Sequence, residues 1–198
     1  MEGFYSAMEN RRSIRILGKE EVISPERLEE IVCHTLLFTP TAFNAQEQRI
    51  VLLLGERHSW FWNLLKEKLR AIVPPEKFPA TESKLAGFAG GVGTILFYQD
   101  MDVVRDLQES FPTYKDNFPS WAHQANGMLT YTIWTSLAVE GYGASLQHYT
   151  ELVEQGVKQE LDIPPAWSMV GQMPFGKAEE SPGDKTFEPV EKRMLVFR

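Results

Sequence analysis

The segment from Ser120 to about Glu140 limits the architecture more than any other part of the chain. It has helical length and bears Met128, Leu129, Ile133, Trp134, Leu137 and Ala138 with almost no charge. A helix that is apolar over most of its surface has to be surrounded by other elements, so this one is predicted at the centre of the molecule. It is not read as a membrane span, because no stretch of the chain reaches the roughly 18 consecutive apolar residues that a span needs. Ser120 is expected to cap it, and Gly141 and Gly143 to end it.

The elements around it follow from periodicity and punctuation. Residues 2–10 read as a short helix. Ser24-Pro25 is a cap and first-turn pair opening a second helix, whose stripe Leu28, Ile31, Val32, Thr35 and Leu36 faces inward and which must stop before Pro40. Cys33, within that helix, is expected to be a packed core thiol. A buried strand over 49–54 is closed by Gly55, and an amphipathic helix covers 59–73. A short helix near 81–89, a strand over 92–99 and a helix near 101–109 come next. An irregular aromatic loop spans 111–119. A short strand over 144–147, a helix capped by Thr150 and a last core strand over 167–175 complete the pattern. Helices and strands mix along the whole chain, so the class is α+β or α/β, with one domain over residues 1–198. The tail ends in Met194-Leu195-Val196-Phe197, which looks like strand at a position where disorder is the default. Its pairing with the sheet of a partner subunit is the expectation.

The formal net charge of −7 argues against a nucleic-acid partner. The amino end lacks a basic region followed by an apolar one, and a single cysteine permits no intrachain disulfide, so a cytoplasmic setting is expected. Within this acidic chain, Arg11-Arg12-Ser13-Ile14-Arg15 stands out. Arginine forks and a hydroxyl suit the oxygens of a phosphomonoester; a solvated basic turn is the alternative. Thr41-Ala42-Phe43-Asn44-Ala45-Gln46 offers carboxamides that donate and accept at once, as the edge of a heteroaromatic ring requires, or it is only a loop after a helix. Gly141-Tyr142-Gly143 leads into Leu146-Gln147-His148-Tyr149, where glycine lets backbone approach a flat ligand. A helix cap followed by a strand would explain the same residues. It is not a dinucleotide fingerprint, since it lacks the third glycine and follows a helix. Lys84 and Lys185 read as exposed lysines. No histidine or cysteine spacing suits a metal, and no serine sits in a nucleophile elbow.

In their order along nearly the whole chain these segments resemble the nitroreductase family, and most closely a short branch found in fungi and Gram-positive bacteria. The phrases that carry the likeness are Arg11-Arg12-Ser13, Thr41 to Gln46, Gly143 to Tyr149, and Met173-Pro174-Phe175-Gly176-Lys177. The resemblance implies an α+β fold with a central, mainly antiparallel sheet flanked by helices, in an intertwined homodimer whose tails (about 178–198) extend over the partner. It implies FMN as cofactor, NADH or NADPH as donor, and a hydride passed through flavin N5 to nitroaromatic or quinone-like acceptors by a ping-pong mechanism. By position, Arg11, Arg12, Ser13 and Arg15 would grip the phosphate and ribityl chain. Thr41, Asn44 and Gln46 would reach the ring from the other subunit. Leu146, Gln147 and His148 would lie near N5, with His148 a candidate proton donor, and Lys84 beside the pyrimidine edge. Two departures stand out. Lys185 is followed by Phe187 where better-known members carry an arginine, a loss for which Arg15 could compensate, and the chain lacks room for the extra helices that cover the substrate in longer members. Two other classes also fit: a flavin-binding stress or lipid-signalling regulator with incidental turnover, and a cofactor-free α+β interaction protein.

Overall fold

The computed structural model describes residues 3–198. In chain order its elements are α1 (Phe4–Asn10), β1 (Leu17–Gly18), α2 (Pro25–Phe38), β2 (Gln48–Leu54), α3 (Gly55–Arg70), α4 (Phe78–Ala89), β3 (Gly93–Asp100), α5 (Met101–Ser110), α6 (Phe118–Val139), β4 (Tyr142–Ala144), α7 (Thr150–Leu161) and β5 (Trp167–Ala178). This is the expected α+β class, with a sheet whose named strands all pair antiparallel.

The strand order is β1-β5-β3-β2, with β4 on the remaining edge of β5. Strand β3 is buried from Gly93 to Gln99, and its alternation divides the interior in two. Leu96 and Tyr98 join Phe61, Trp62 and Leu65 of α3, Leu85 and Phe88 of α4, and Val153 and Val157 of α7. Ile95 and Phe97 join Leu28 and Val32 of α2 and Leu129, Ile133 and Leu137 of α6. Helices therefore cover both faces. Helix α6 lies against the second through Leu129, Ile133 and Leu137, but it is not surrounded as expected: its other side, with Met128 and Val139, is exposed within the chain. Asn126, in the middle of α6, donates through Nδ2 to the Tyr98 carbonyl at 3.0 Å, which sets its register against β3.

Several local expectations need correction. Helix α6 starts at Phe118, two residues before Ser120, whose hydroxyl accepts from Gln124 inside the helix and caps nothing. Pro119 in the first turn, where a missing N–H costs nothing, explains the earlier start. Thr150 is the first residue of α7, and no side chain caps that helix. Gly141 does end α6, with φ +96°, but Gly143 is the middle of β4. A Cβ there would lie 2.9 Å from the Cβ of Ile14, so this glycine serves close packing. Cys33 is exposed: the inward stripe of α2 is Leu28, Ile31, Val32 and Thr35, and position 33 falls on the other side. Ser24, by contrast, accepts from the Arg27 N–H at 3.2 Å, the cap that the sequence predicted. The carboxy-terminal Met194, Leu195, Val196 and Phe197 form no strand within the chain and stand 58–90% exposed.

Candidate functional site

The basic segment leaves α1 in extended form and runs along the outer edge of β4. The Ile14 N–H donates to the Ala144 carbonyl at 2.9 Å, and Ser13 bridges to Ala144 in parallel. This pairing buries Ile14 and leaves Ser13 and Arg15 exposed on either side of it. From the other direction α4 presses on the same segment. Gly87 makes that possible, because a Cβ there would meet the Arg15 carbonyl oxygen at 2.6 Å. Two motifs more than 120 residues apart, the arginine cluster and the segment after α6, thus become neighbours through one short strand.

Strand β5 then leads into the tail, which folds back over the arginines. Glu180 accepts from the N–H groups of Arg15 and Ile16 at 2.6 and 3.2 Å, and Arg12 Nη2 donates to the Gly183 carbonyl at 2.5 Å. The result is a cavity of about 400 Å³ walled by Arg11, Arg12, Ser13, Arg15 and Lys185 on the cationic side, with Glu180 and Asp184 as counter-charges. Four cations against two carboxylates leave positive charge for an anion. The place where better-known members carry a second basic residue is Phe187, which is exposed, its ring centroid 5.2 Å from Lys185 Nζ.

A second cavity, about 230 Å³, opens beside the first and is walled by Trp134, Leu146, His148 and Gly171 among others. The link is Arg11, whose guanidinium carbon lies 4.4 Å from the Trp134 ring centroid. Lys84 stands at the far end of the same segment, its Nζ 5.6 Å from the Tyr149 ring centroid. The Gln147 backbone is committed: its N–H donates to the Gln172 carbonyl at 2.7 Å, and its carbonyl accepts from Gln172 N–H at 2.9 Å. Gln147 is therefore no main-chain donor to a ligand. The N–H groups of Leu146 and His148 point to the opposite edge by strand alternation and take no acceptor among the described residues.

Thr41, Asn44 and Gln46 line neither cavity within the chain. Their loop is held under strain: Phe43, Asn44 and Gln46 have φ of 57°, 53° and 52°. Such residues persist only where neighbours over-determine them. The Gln46 N–H donates to Thr41 Oγ1 at 3.0 Å, Arg49 Nη1 donates to the Gln46 carbonyl at 2.6 Å, and the Phe43 ring rests against Phe111 at 4.7 Å. Just beyond, Glu47 is buried beside Val104, Phe118 and Trp121, and burial pushes its carboxyl above the ordinary range.

Two groups between the cavities bear on whether they suit a phosphate-bearing ligand. Arg11 Nε and Trp134 Nε1 are buried with no acceptor among the described residues. Buried donors are ordinarily satisfied, so these two fit a ligand that brings oxygen acceptors to the boundary between the cavities. Trp134 was read from the sequence only as part of an apolar helix; nothing in its neighbours Ile133 and Thr135 marks it as different.

The chain is an antiparallel α+β fold with a cationic cavity at its sheet edge, suited in charge to an anion, and a second cavity walled in part by Tyr131 and Trp134. The model of the Nitroreductase family matches residues 8–177. Nitroreductase FRM2 of Saccharomyces cerevisiae is 30% identical over 186 residues, covering 93% of this chain and 92% of FRM2. Nitroreductase CinD from Lactococcus lactis, in complex with chloramphenicol, superposes with a TM-score of 0.91 at 38% identity, covering 99% of this chain and 100% of that one; its complex with 4-nitrophenol gives 0.90. The chain belongs to the nitroreductase family, a family of oxidoreductases, and its relatives include the fungal and Gram-positive proteins that the sequence phrases pointed to.

Proposed function

We propose that this chain is an FMN-dependent oxidoreductase that takes a hydride from NADH or NADPH and delivers it to nitroaromatic or quinone-like acceptors, working as a homodimer. The observation that carries the reading is a cationic cavity whose Arg11 packs on Trp134 of a second cavity, walled also by Leu146 and His148. When bound, FMN supplies a ring that accepts a hydride and passes it on, and the chain's residues supply its position and electrostatics.

In this reading Arg11, Arg12, Ser13, Arg15 and Lys185 hold the phosphate, with the planar arginine forks supplying paired donors. Leu146 and His148 offer main-chain N–H groups to the ring edge, and Lys84 adds positive charge nearby. His148 is exposed, so solvent reaches the same place and can supply the proton assigned to it. The acceptor class is carried over from the 4-nitrophenol held by CinD.

The homodimer supplies what one chain lacks. Thr41, Asn44 and Gln46 would reach the ring from the partner, which explains why they stand apart from the cavities here. Support comes from exposed Leu37, Phe38 and Val139 on α2 and α6. Further support comes from the open edge of β2 and the apolar Met194–Phe197 segment, which together suit strand addition between subunits. Residues 1–198 then act as one unit, with about 178–198 as the arm that reaches over the partner. No helix among the described residues is long and apolar enough to cross a membrane, and we place the protein in the cytoplasm on its single, unpaired cysteine.

The experiment is to purify the protein, identify any released yellow cofactor, and repeat with Arg11 and Ser13 changed to Ala. FMN should accompany the natural protein and be stripped from the variant. Full FMN occupancy in the variant would refute the phosphate assignment, and a colourless natural protein that ignores added FMN would refute the whole reading. Steady NAD(P)H oxidation with a nitroaromatic acceptor separates an enzyme from a flavin-binding regulator.

A further inference from the structure

We infer that Trp134 is a positioning residue for the polyhydroxyl linker of the cofactor, holding Arg11 on its ring face and donating its indole N–H to a linker oxygen. The inference rests on the FMN reading above and goes beyond it, since none of the phrases that carry the family likeness includes this residue. Three observations on one side chain lead to it.

The first is location. Arg11 lines the cationic cavity, Trp134 lines the slot, and the guanidinium carbon of one stands 4.4 Å from the ring centroid of the other. A ligand with its phosphate in the first cavity and its ring in the second must pass its linker over this contact. The second is the buried Nε1–H of Trp134, which has no acceptor among the described residues. Indole nitrogen can only donate, so the missing partner is an oxygen acceptor, and a ribityl chain presents hydroxyls along its length. The third is that Arg11 Nε, on the other side of the same contact, is buried without an acceptor as well. Two orphaned buried donors on the two sides of one contact are costly unless a partner reaches them. The stacking also explains how Arg11 is pre-aimed: a cation over an indole face loses less freedom on binding than a free guanidinium.

The test measures binding, by quenching of flavin fluorescence, for three probes: FMN, riboflavin without the phosphate, and lumiflavin without the linker. Trp134→Phe keeps a ring beneath Arg11 but has no donor. It should weaken FMN and riboflavin alike by about 3- to 10-fold, the worth of one hydrogen bond, and leave lumiflavin unchanged. Trp134→His, which keeps a ring N–H, should recover part of the loss. Unchanged FMN and riboflavin affinity overturns the proposal, as does an equal loss for lumiflavin, which would mean that Trp134 only packs. Should the Phe variant fail to fold, the indole N–H resonances of the natural protein decide. The peak missing from the His variant must shift with riboflavin and stay in place with lumiflavin. A natural protein that binds none of the three probes overturns the FMN reading itself, whereas failure of this proposal alone leaves FMN bound to the natural protein.

Discussion

Replacing Thr94 by Val tests the buried polar link that ties α3 and α4 to the sheet. Thr94 is fully buried on β3, and His58 and Trp62 of α3 are each 2% exposed. Trp62 Nε1 donates to Thr94 Oγ1 at 2.9 Å. The Ala89 carbonyl at the end of α4 can only accept, so His58 Nε2, 3.2 Å away, carries the proton of the neutral imidazole and donates to it. His58 Nδ1 is then an acceptor and takes the proton of the Thr94 hydroxyl, 2.8 Å away. Valine has nearly the same shape, so no cavity opens, but it leaves Trp62 Nε1–H and His58 Nδ1 without partners. Each buried orphan costs about 1–3 kcal/mol, so a loss near 3 kcal/mol is expected, a large part of the roughly 5–15 kcal/mol that holds a typical domain. Thr94→Ser is the control. It keeps the hydroxyl and drops one methyl group, at a cost of about 1 kcal/mol. Urea unfolding at pH 8, with protein concentration held constant because a dimer makes the midpoint concentration-dependent, reads the difference. At a slope near 2 kcal/mol per molar, the Val midpoint should fall by roughly 1.5 M. If Thr94→Val proves no worse than Thr94→Ser, the hydrogen-bond chain and the tautomer derived from it are wrong.

Burial holds the His58 imidazole below its ordinary value of 6.5, so the unfolded chain takes up a proton that the folded one refuses. Stability is complete above about pH 6.5 and declines as the pH drops from there toward the folded value, by at most about 1.4 kcal/mol per pH unit. His58→Gln should flatten that slope, and an unchanged pH profile of the melting temperature would contradict it. Changing Asn44 and Gln46 together to Ala should weaken FMN binding or move its potential. An effect on neither, by fluorescence titration and redox titration, would make the strained loop purely structural. Cys33 borders a groove of about 880 Å³ lined by α2 and α6. If that groove is the homodimer interface, a thiol reagent should label Cys33 slowly at high protein concentration and several-fold faster on dilution, and a rate independent of concentration would argue against burial there.

Much of the local structure was legible in the sequence because local rules govern it. Ser24 caps α2 with Pro25 at its first position, since an extended residue with a hydroxyl and a proline without an N–H suit the start of a helix wherever it packs. The same rules misled at Ser120 and Thr150, where nearby residues opened the helices without a side-chain cap. Cys33 was misjudged because the inward stripe of α2 admits its neighbour Val32 and not the next position along. Tail residues 194–197 look like strand by composition, but a strand needs an edge to pair with, and that is a property of the assembly.

The order of residues along the chain determined that α2 and α6 each carry an apolar face and that three arginines cluster within an acidic protein. Only the tertiary structure decided that Lys185 lines one cavity with Arg11, that Gln147 spends its backbone on Gln172, and that Trp134 packs against Arg11. Periodicity is written into neighbouring residues and survives in any window of sequence. Contacts between residues far apart in the sequence depend on how β4 and β5 bring distant segments side by side, and no local pattern records that.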